Sequence, residues 1–429
     1  MKKKWGLWLS CLVMVLSLMT GCNSAPGSTA QGDEGQDRQE IKIGMTVSTT
    51  GSYAFASQQG MKGVEIWADH VNEQGGIFVK EANKKLPVKL VYYEDRSDKQ
   101  QVTRLYEKLI NEDKVDMLIA PFGSTLTGAA ATVTEKYKKP LIIWSAASDS
   151  LYEQGYRYVI SATQISASLM PRPEIAHIKQ LGLKKVAIVY LDEAFPAAQA
   201  EGAKKYAEAL GLEVVHYEKF SKENLDYASL LRKIDEKKPD ALYVSAYMEE
   251  QANFIKQMKE MNIMYHYVYM LYSAQADWLN LTGDDGLHII GHTLFDPNLK
   301  YDVTDGLNID QFMEKYNQKY KDDKNPPDFQ TALAYGAGVM MQKYLEEAGS
   351  FHADAIKRAA LDLSGKVTIL TGEYRLAENG AQEGMEFVLT QVKKDEQGKP
   401  AFRIIYPESV KTEDPILPIP KWDQPRNSQ

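Results

Sequence analysis

Gly123-Ser124-Thr125 is the stretch of this chain best suited to holding a small molecule. It lies between Val115 to Ala120, an apolar run ended by Pro121, and Ala129 to Val133, which reads as a tightly packed helix. A short apolar run of that kind suits a strand buried on both faces of a parallel sheet. Where such a strand breaks into a small polar turn and re-enters as a helix, N-cap chemistry aims free backbone N–H groups at the mouth of the sheet. The positive end of the helix dipole points the same way, so a carboxylate can sit there without a buried lysine or arginine. The same segment also reads as an ordinary βα turn that binds nothing, since short Gly/Ser turns are common in α/β proteins.

Other chemistry-bearing residues lead less far. His288 and His292 are spaced like a helical zinc motif, but Ile289 stands where a metalloprotease needs Glu, and the stretch reads as a strand. No metal is expected there. Tyr335-Gly336-Ala337-Gly338 lacks the third glycine and the preceding strand of a dinucleotide fingerprint. No Walker lysine follows Gly128, and no Gly-x-Ser-x-Gly elbow occurs. Glu94, Asp95 and Asp98 read as a loop and helix cap, and Tyr265 to Tyr269 as a strand. These readings predict a protein without cofactor and without catalysis.

The elements that must position Ser124 alternate regularly. Ile41 to Val47, Leu86 to Tyr93, Val115 to Ala120 and Pro140 to Ser145 read as strands. Between the first three lie helices whose apolar faces carry Met61, Val64, Trp67, Ala68 and Val71, then Val102, Leu105, Leu109 and Ile110. The pattern then restarts: strands at Lys185 to Tyr190, Leu212 to Tyr217 and Asp240 to Ser245 alternate with helices from Ala198 to Leu210, from Ala228, and from Glu250 to Met261. The segment to about Asp362 is mostly helical, and 366–406 is strand-like with turns at Asn379-Gly380 and Gln397-Gly398. Strand–helix alternation predicts an α/β fold of two doubly wound parallel-sheet lobes with right-handed crossovers.

Composition and ends bound the setting. Lys2-Lys3-Lys4 precede an apolar run, Trp5 to Met19, that is too short to span a membrane. Residues 1–21 thus read as a signal peptide, and Asn23 to Glu40, acidic and rich in Gly, Ser and Gln, as a flexible tether. Cys11 lies in the removed segment, so Cys22 is the one cysteine left and no disulfide is expected. About 390 remaining residues exceed what one core holds, which again predicts two domains. Loss of the three lysines makes the net charge of −8 more negative still, and without a basic cluster no nucleic-acid partner is expected.

Met19-Thr20-Gly21-Cys22 resembles the lipobox of bacterial lipoproteins, with Met19 where Leu is usual. The segments KIGMTVSTTGSYA, GVEIWADHVNEQGGI, DRSDKQQVTRLYEKLI, the loop at 121–128, KVAIVYLDEAF and DYASLLRKIDEKKPDALYV follow one another in the order seen in a known family. Together they resemble the substrate-binding lipoproteins of ABC importers of the leucine/isoleucine/valine-binding type, over roughly Ile41 to Tyr406. That resemblance implies a type I periplasmic-binding-protein clamshell, two lobes joined by a three-strand hinge and closing over a ligand. It divides the chain into signal peptide 1–21, tether 22–40, lobe 1 at 41–161 and 293–365, lobe 2 at 162–292 and 366–410, and a C-terminal tail at 411–429.

Residue by residue, the resemblance gives Ser124 the ligand carboxylate, bound through hydroxyl and backbone N–H. Ser145 and Ala147 fall on binding positions after the fourth strand; Ala147 lacks the hydroxyl that relatives commonly carry, and Ser148 is its candidate replacement. Phe195 and Tyr247 are the expected contacts from lobe 2. Tyr272 stands near the place of the acid that would hold an α-ammonium group, so unless Asp149, Glu249 or Glu250 substitutes, the ligand need not be an α-amino acid. Trp144, Phe195, Tyr247 and Tyr272 suit an aromatic-lined cleft, with Tyr53 and Phe55 as further candidates; sheet core is the alternative place for Trp144.

The expected function is therefore a monomeric solute receptor, lipid-anchored through Cys22 on the outer face of the cell membrane. It would deliver a small amino-acid-like, branched-chain, amide or aromatic carboxylate to an ABC permease. A clamshell receptor that reports to a regulator or sensor kinase is the alternative.

Overall fold

The computed structural model describes residues 38–275 and 277–424. The signal segment and Cys22 lie outside the described residues. Two sheets carry the fold. The first has five parallel strands in the order Val88–Glu94, Ile41–Val47, Met117–Ile119, Leu141–Ile143 and Val159–Ser161. The second has seven, in the order Pro400–Tyr406, Val388–Lys394, Ile290–Thr293, Tyr267–Met270, Ala241–Ser245, Lys185–Leu191 and Glu213–Phe220. Its last five are parallel, and Val388–Lys394 and Pro400–Tyr406 add an antiparallel edge.

The chain passes between the sheets three times: after Val159–Ser161, after Ile290–Thr293, and before Val388–Lys394. On its middle excursion it adds three helices, Ile309–Lys319, Phe329–Ala348 and Ala353–Asp362, to the first lobe. Helix Phe329–Ala348 packs on helix Ala54–Glu73 through glycines: a Cβ on Gly63 would lie 2.1 Å from the Thr331 carbonyl oxygen, and one on Gly338 would lie 2.4 Å from the Trp67 ring. Backbone contact this close requires glycine. The two lobes match the α/β architecture read from the sequence.

The three crossings meet at a buried polar knot. Glu174, early in helix Arg172–Gln180, pairs with Nδ1 of His292, whose ring stacks on Phe387 with centroids 3.9 Å apart. These residues lie just beyond the first crossing, at the second and just before the third. His292 therefore serves structure through Nδ1.

The hairpin Val367–Ile369 and Gly372–Tyr374 sits with the first lobe, because the Tyr374 hydroxyl donates to the Ala360 carbonyl and Ile369 abuts Gly336. Residues 411–424 lace onto the second sheet: Ile416 and Gln391 exchange two hydrogen bonds, and the Trp422 indole donates to the Ile263 carbonyl at 2.8 Å.

Candidate functional site

Parallel strands end on the same side of each sheet, so the loops after Val47, Ile119 and Ile143 face those after Leu191, Ser245 and Met270. The first of these loops is shaped by Asp95. This buried carboxylate accepts from the Thr46 and Ser48 hydroxyls at 2.7 and 2.6 Å and from Ser97 N at 2.9 Å. Ser97 Oγ in turn donates to the Thr50 carbonyl and accepts from Tyr53 N, which fixes Tyr53 at the head of helix Ala54–Glu73.

Gly123 takes φ +80°, a conformation that L side chains rarely adopt, and helix Ser124–Lys136 begins at the next residue. The helix therefore starts five residues before the sequence-predicted Ala129, and Ser124 is its first residue rather than a side-chain cap. Ser124 Oγ accepts from Ala147 N at 3.1 Å and from Ser148 N at 3.0 Å. Ser145 Oγ accepts from Gly123 N at 3.2 Å. Two serines thus interlock the loops after the third and fourth strands. A hydroxyl has two lone pairs and one O–H, so Ser124 keeps its O–H to donate. The N–H groups of the first turn have no acceptor within the helix.

On the opposite lobe, Phe195 lies in the first turn of helix Ala194–Ala209, which begins four residues before the sequence-predicted Ala198. Tyr247 precedes helix Met248–Glu260, and Tyr272 lies in the 3-10 helix Leu271–Ala274. Gln251 pins these two loops together: its amide nitrogen donates to the Val244 and Ala246 carbonyls, and its oxygen accepts from Tyr272 N at 3.0 Å.

The aromatic side chains meet across the gap. Tyr53 and Tyr247 have ring centroids 5.1 Å apart, Phe122 and Tyr247 6.5 Å, Phe195 and Tyr247 6.1 Å, and Tyr247 and Tyr272 6.1 Å. Trp144 joins through Phe122 at 5.7 Å while its other side fills the space above Gly60 and its N–H bonds the Ala120 carbonyl. Trp144 is thus both core and cleft wall. All six rings are buried. Burial raises the Tyr272 phenol well above its ordinary value, and the nearby Tyr53, Glu250, Glu193 and Asp328 add to the rise.

Several residues of this cleft escaped the sequence reading. Glu193, at the head of its helix, accepts from the Tyr53 hydroxyl at 2.6 Å and lies 3.5 Å from the Thr125 hydroxyl. Its other oxygen is 3.4 Å from Lys222, which also lies over the Tyr53 ring. Of the acids considered as ammonium partners, Asp149 is taken up by the backbone N–H and hydroxyl of Ser168, and Glu249 is exposed. Glu250 is buried with Oε2 unpartnered, and burial raises its carboxyl. Asp328, from the far lobe, caps helix Phe329–Ala348 through one oxygen and leaves the other free.

The chain matches the model of the family described as periplasmic binding protein over residues 40–398. The chain belongs to that family. Periplasmic binding proteins are substrate-binding proteins that work outside the cytoplasm, not enzymes. A curated relative, Leu/Ile/Val-binding protein homolog 8 of Brucella abortus (strain 2308), is 23% identical over 361 residues, covering 80% of this chain and 86% of its own. Among solved structures, the branched-chain amino acid transporter substrate-binding protein LivJ from Streptococcus pneumoniae, in complex with isoleucine, superposes with a TM-score of 0.70 at 23% identity. It covers 86% of this chain and 100% of its own. An ABC transporter solute-binding protein from R. palustris, in complex with benzoate, gives 0.70 at 21% identity, covering 85% of this chain and 95% of its own. These likenesses carry the fold. Among the described residues, no helix of this periplasmic binding protein is long and apolar enough to cross a membrane.

Proposed function

We propose that this periplasmic binding protein is the solute receptor of an ABC importer and closes its two lobes over a small carboxylate. One observation carries the reading. The first turn of helix Ser124–Lys136, with the Ser124 O–H left over after two accepted hydrogen bonds, faces a wall of aromatic rings drawn from both lobes. An anion there gains backbone N–H groups and the helix dipole, and its apolar part is covered by Phe195, Tyr247 and Tyr272. Ser145 and Ala147 hold that loop pair in register, and Ser148 adds a hydroxyl beside it. Tyr53 closes the outer lip. The isoleucine and benzoate complexes of the similar proteins support the same class for this chain: an amino-acid-like, branched-chain, amide or aromatic carboxylate.

In this reading the ligand touches both lobes only when they are shut, so it shifts the population toward the closed form that the permease recognises. The receptor works as a monomer, tethered to the outer face of the membrane by a lipid on Cys22. Lobe 1 comprises 41–161 and 293 to about 383, taking in the hairpin that packs on its helices. Lobe 2 comprises 162–292 and the remainder through the tail. A thermal-shift screen of the purified protein against amino acids, amides and aromatic acids tests the proposal. A true ligand binds only the folded state and raises the melting temperature, by about 2.7 kcal/mol of stability at a hundredfold excess over Kd. If none of these solutes shifts the transition, the reading fails.

A further inference from the structure

We infer that the end of the first lobe opposite the cleft docks on a membrane surface of anionic lipid headgroups, through its lysines and Phe78. This docking rests on the tethered-receptor reading for its setting and holds whichever solute the cleft takes. The chain enters the five parallel strands of the first sheet through segments 38–42, 80–89, 112–116, 136–140 and 154–158. These carry eleven Lys and Arg against five Asp and Glu, in a protein whose net charge is −8. No single stretch of the sequence holds such a cluster; the fold gathers it. Helix C-termini lie at the same end and favour lysine by themselves. The second lobe shows what that effect alone gives. Its corresponding segments, 181–185, 209–213, 237–241, 262–267 and 283–290, also lead into parallel strands, and they balance at four against four. The surplus on the first lobe therefore needs another cause.

The surface suits lipid. Lys80, Lys114 and Lys138 are exposed, with no carboxylate in ion-pair reach among the described residues, and exposed Lys85 donates to the Gln74 carbonyl. Lys89, Lys136 and Arg157 are exposed as well but pair with Glu40, Glu107 and Asp354. An apolar group stands among them. In the ribbon of Ile77–Val79 and Lys84–Leu86, Phe78 is paired with Lys85 across the strands and is 46% exposed. An aromatic ring beside ammonium groups fits a headgroup layer: the ring enters the acyl boundary while the charges stay at the phosphates. The tether leaves from the same face. Arg38, at the start of the described chain, pairs with Asp116 and lies 4.1 Å from the centre of the Phe351 ring. Phe351 N in turn donates to Glu81, in the turn of the Phe78 ribbon. The route toward Cys22 thus starts beside Phe78 and its lysines. With this face on the lipid, the cleft, at the other ends of the strands, opens toward the medium.

The test is co-sedimentation of the unlipidated chain from residue 23, which keeps every described residue, with vesicles of phosphatidylcholine alone or mixed with phosphatidylglycerol. Wild type should bind the anionic vesicles about tenfold or more better than the neutral ones. Salt at about 1 M, where charges are screened beyond ~3 Å, should abolish that binding. Lys80→Glu, Lys114→Glu and Lys138→Glu together should cost about tenfold or more, and Phe78→Ser about threefold or more. Lys184→Glu, Lys237→Glu and Lys238→Glu make the same charge change at exposed sites of the second lobe and should cost far less. Equal loss in the two triple variants, or no preference of wild type for anionic vesicles, overturns the docking face. Retention on heparin without vesicle binding overturns it too, in favour of a soluble polyanion. Should the first-lobe triple not fold, the three single lysine variants and Phe78→Ser decide. The mass of the membrane-extracted protein reads the tether separately. A lipid on Cys22 without vesicle binding keeps the tether and rejects the face; vesicle binding without a lipid does the reverse.

Discussion

The Tyr53 hydroxyl of the first lobe donates a 2.6 Å hydrogen bond to Glu193 Oε2 of the second. Lys222 neutralises the other carboxylate oxygen and lies 5.2 Å from the centre of the Tyr53 ring. The pair forms a latch on the lip of the cleft, made only when the lobes touch. Replacing Tyr53 with Phe keeps the ring and removes the bond. Affinity for a bound solute should then fall by about 1–2 kcal/mol, mostly through faster release. Small-angle scattering of the ligand-free variant should show a larger radius of gyration than wild type. An identical radius and release rate would remove the latch from the closing mechanism.

Ser124→Ala deletes both the donor to a carboxylate and the acceptor for Ala147 N and Ser148 N. Binding of a carboxylate solute should weaken by about 1–3 kcal/mol. Calorimetry that finds the affinity unchanged would contradict the role assigned to this hydroxyl.

Asp328 sets a pH dependence. Burial holds its carboxyl at about 6, above its ordinary 3.8. As pH falls, the folded protein takes up this proton before the unfolded chain does, so Asp328 adds stability between about pH 6 and pH 4, up to about 3 kcal/mol. That contribution disappears as pH climbs back through 6. His177 acts the other way: burial lowers it from 6.5 to about 4, and it costs stability as pH falls through that window. Comparing Asp328→Asn with wild type separates the two. In urea melts at pH 4.5 and pH 7, wild type should gain on the variant toward acid. A pH-independent difference between the two proteins would argue against a raised Asp328.

Two glycines in different helices of the first lobe predict opposite signs. A Cβ on Gly63 would overlap the Thr331 carbonyl at 2.1 Å, and backbone cannot swing aside. Gly63→Ala should therefore cost about 1–3 kcal/mol or more by forcing helices apart. A Cβ on Gly128, inside helix Ser124–Lys136, meets only Leu151 at 3.7 Å, which is ordinary contact. Gly128→Ala should stabilise by about 0.5–1 kcal/mol. Chemical denaturation of the two variants reads both effects.

What the sequence showed and what it hid follow one physical line. Local spacing exposed the strands and helices of both lobes, because buried parallel strands read as apolar runs and their helices repeat every three to four residues. Helix starts were harder. The expected helix began at Ala198, yet helix Ala194–Ala209 takes in Phe195 and Pro196, since proline is tolerated in a first turn. The cleft residues recognised in advance are those on strand-end loops. Glu193, Gln251 and Asp328 were invisible because their significance lies in partners distant in sequence. Asp328 carried one local signal, the run Pro326-Pro327-Asp328 before an apolar helix, which marks a helix start and says nothing of what its second oxygen faces.

The threefold passage of the chain has a consequence for biogenesis. Helix Ala54–Glu73 is synthesised long before helix Phe329–Ala348, onto which its glycine face closes. All five parallel strands of the second sheet fall within residues 185–293 and can pair while that face still waits. The earliest-made lobe therefore stays incomplete while the parallel strands of the later one pair. Until its late helices arrive, Trp67 and the apolar stripe around it stay uncovered, making residues 54–73 the segment a chaperone has most reason to hold.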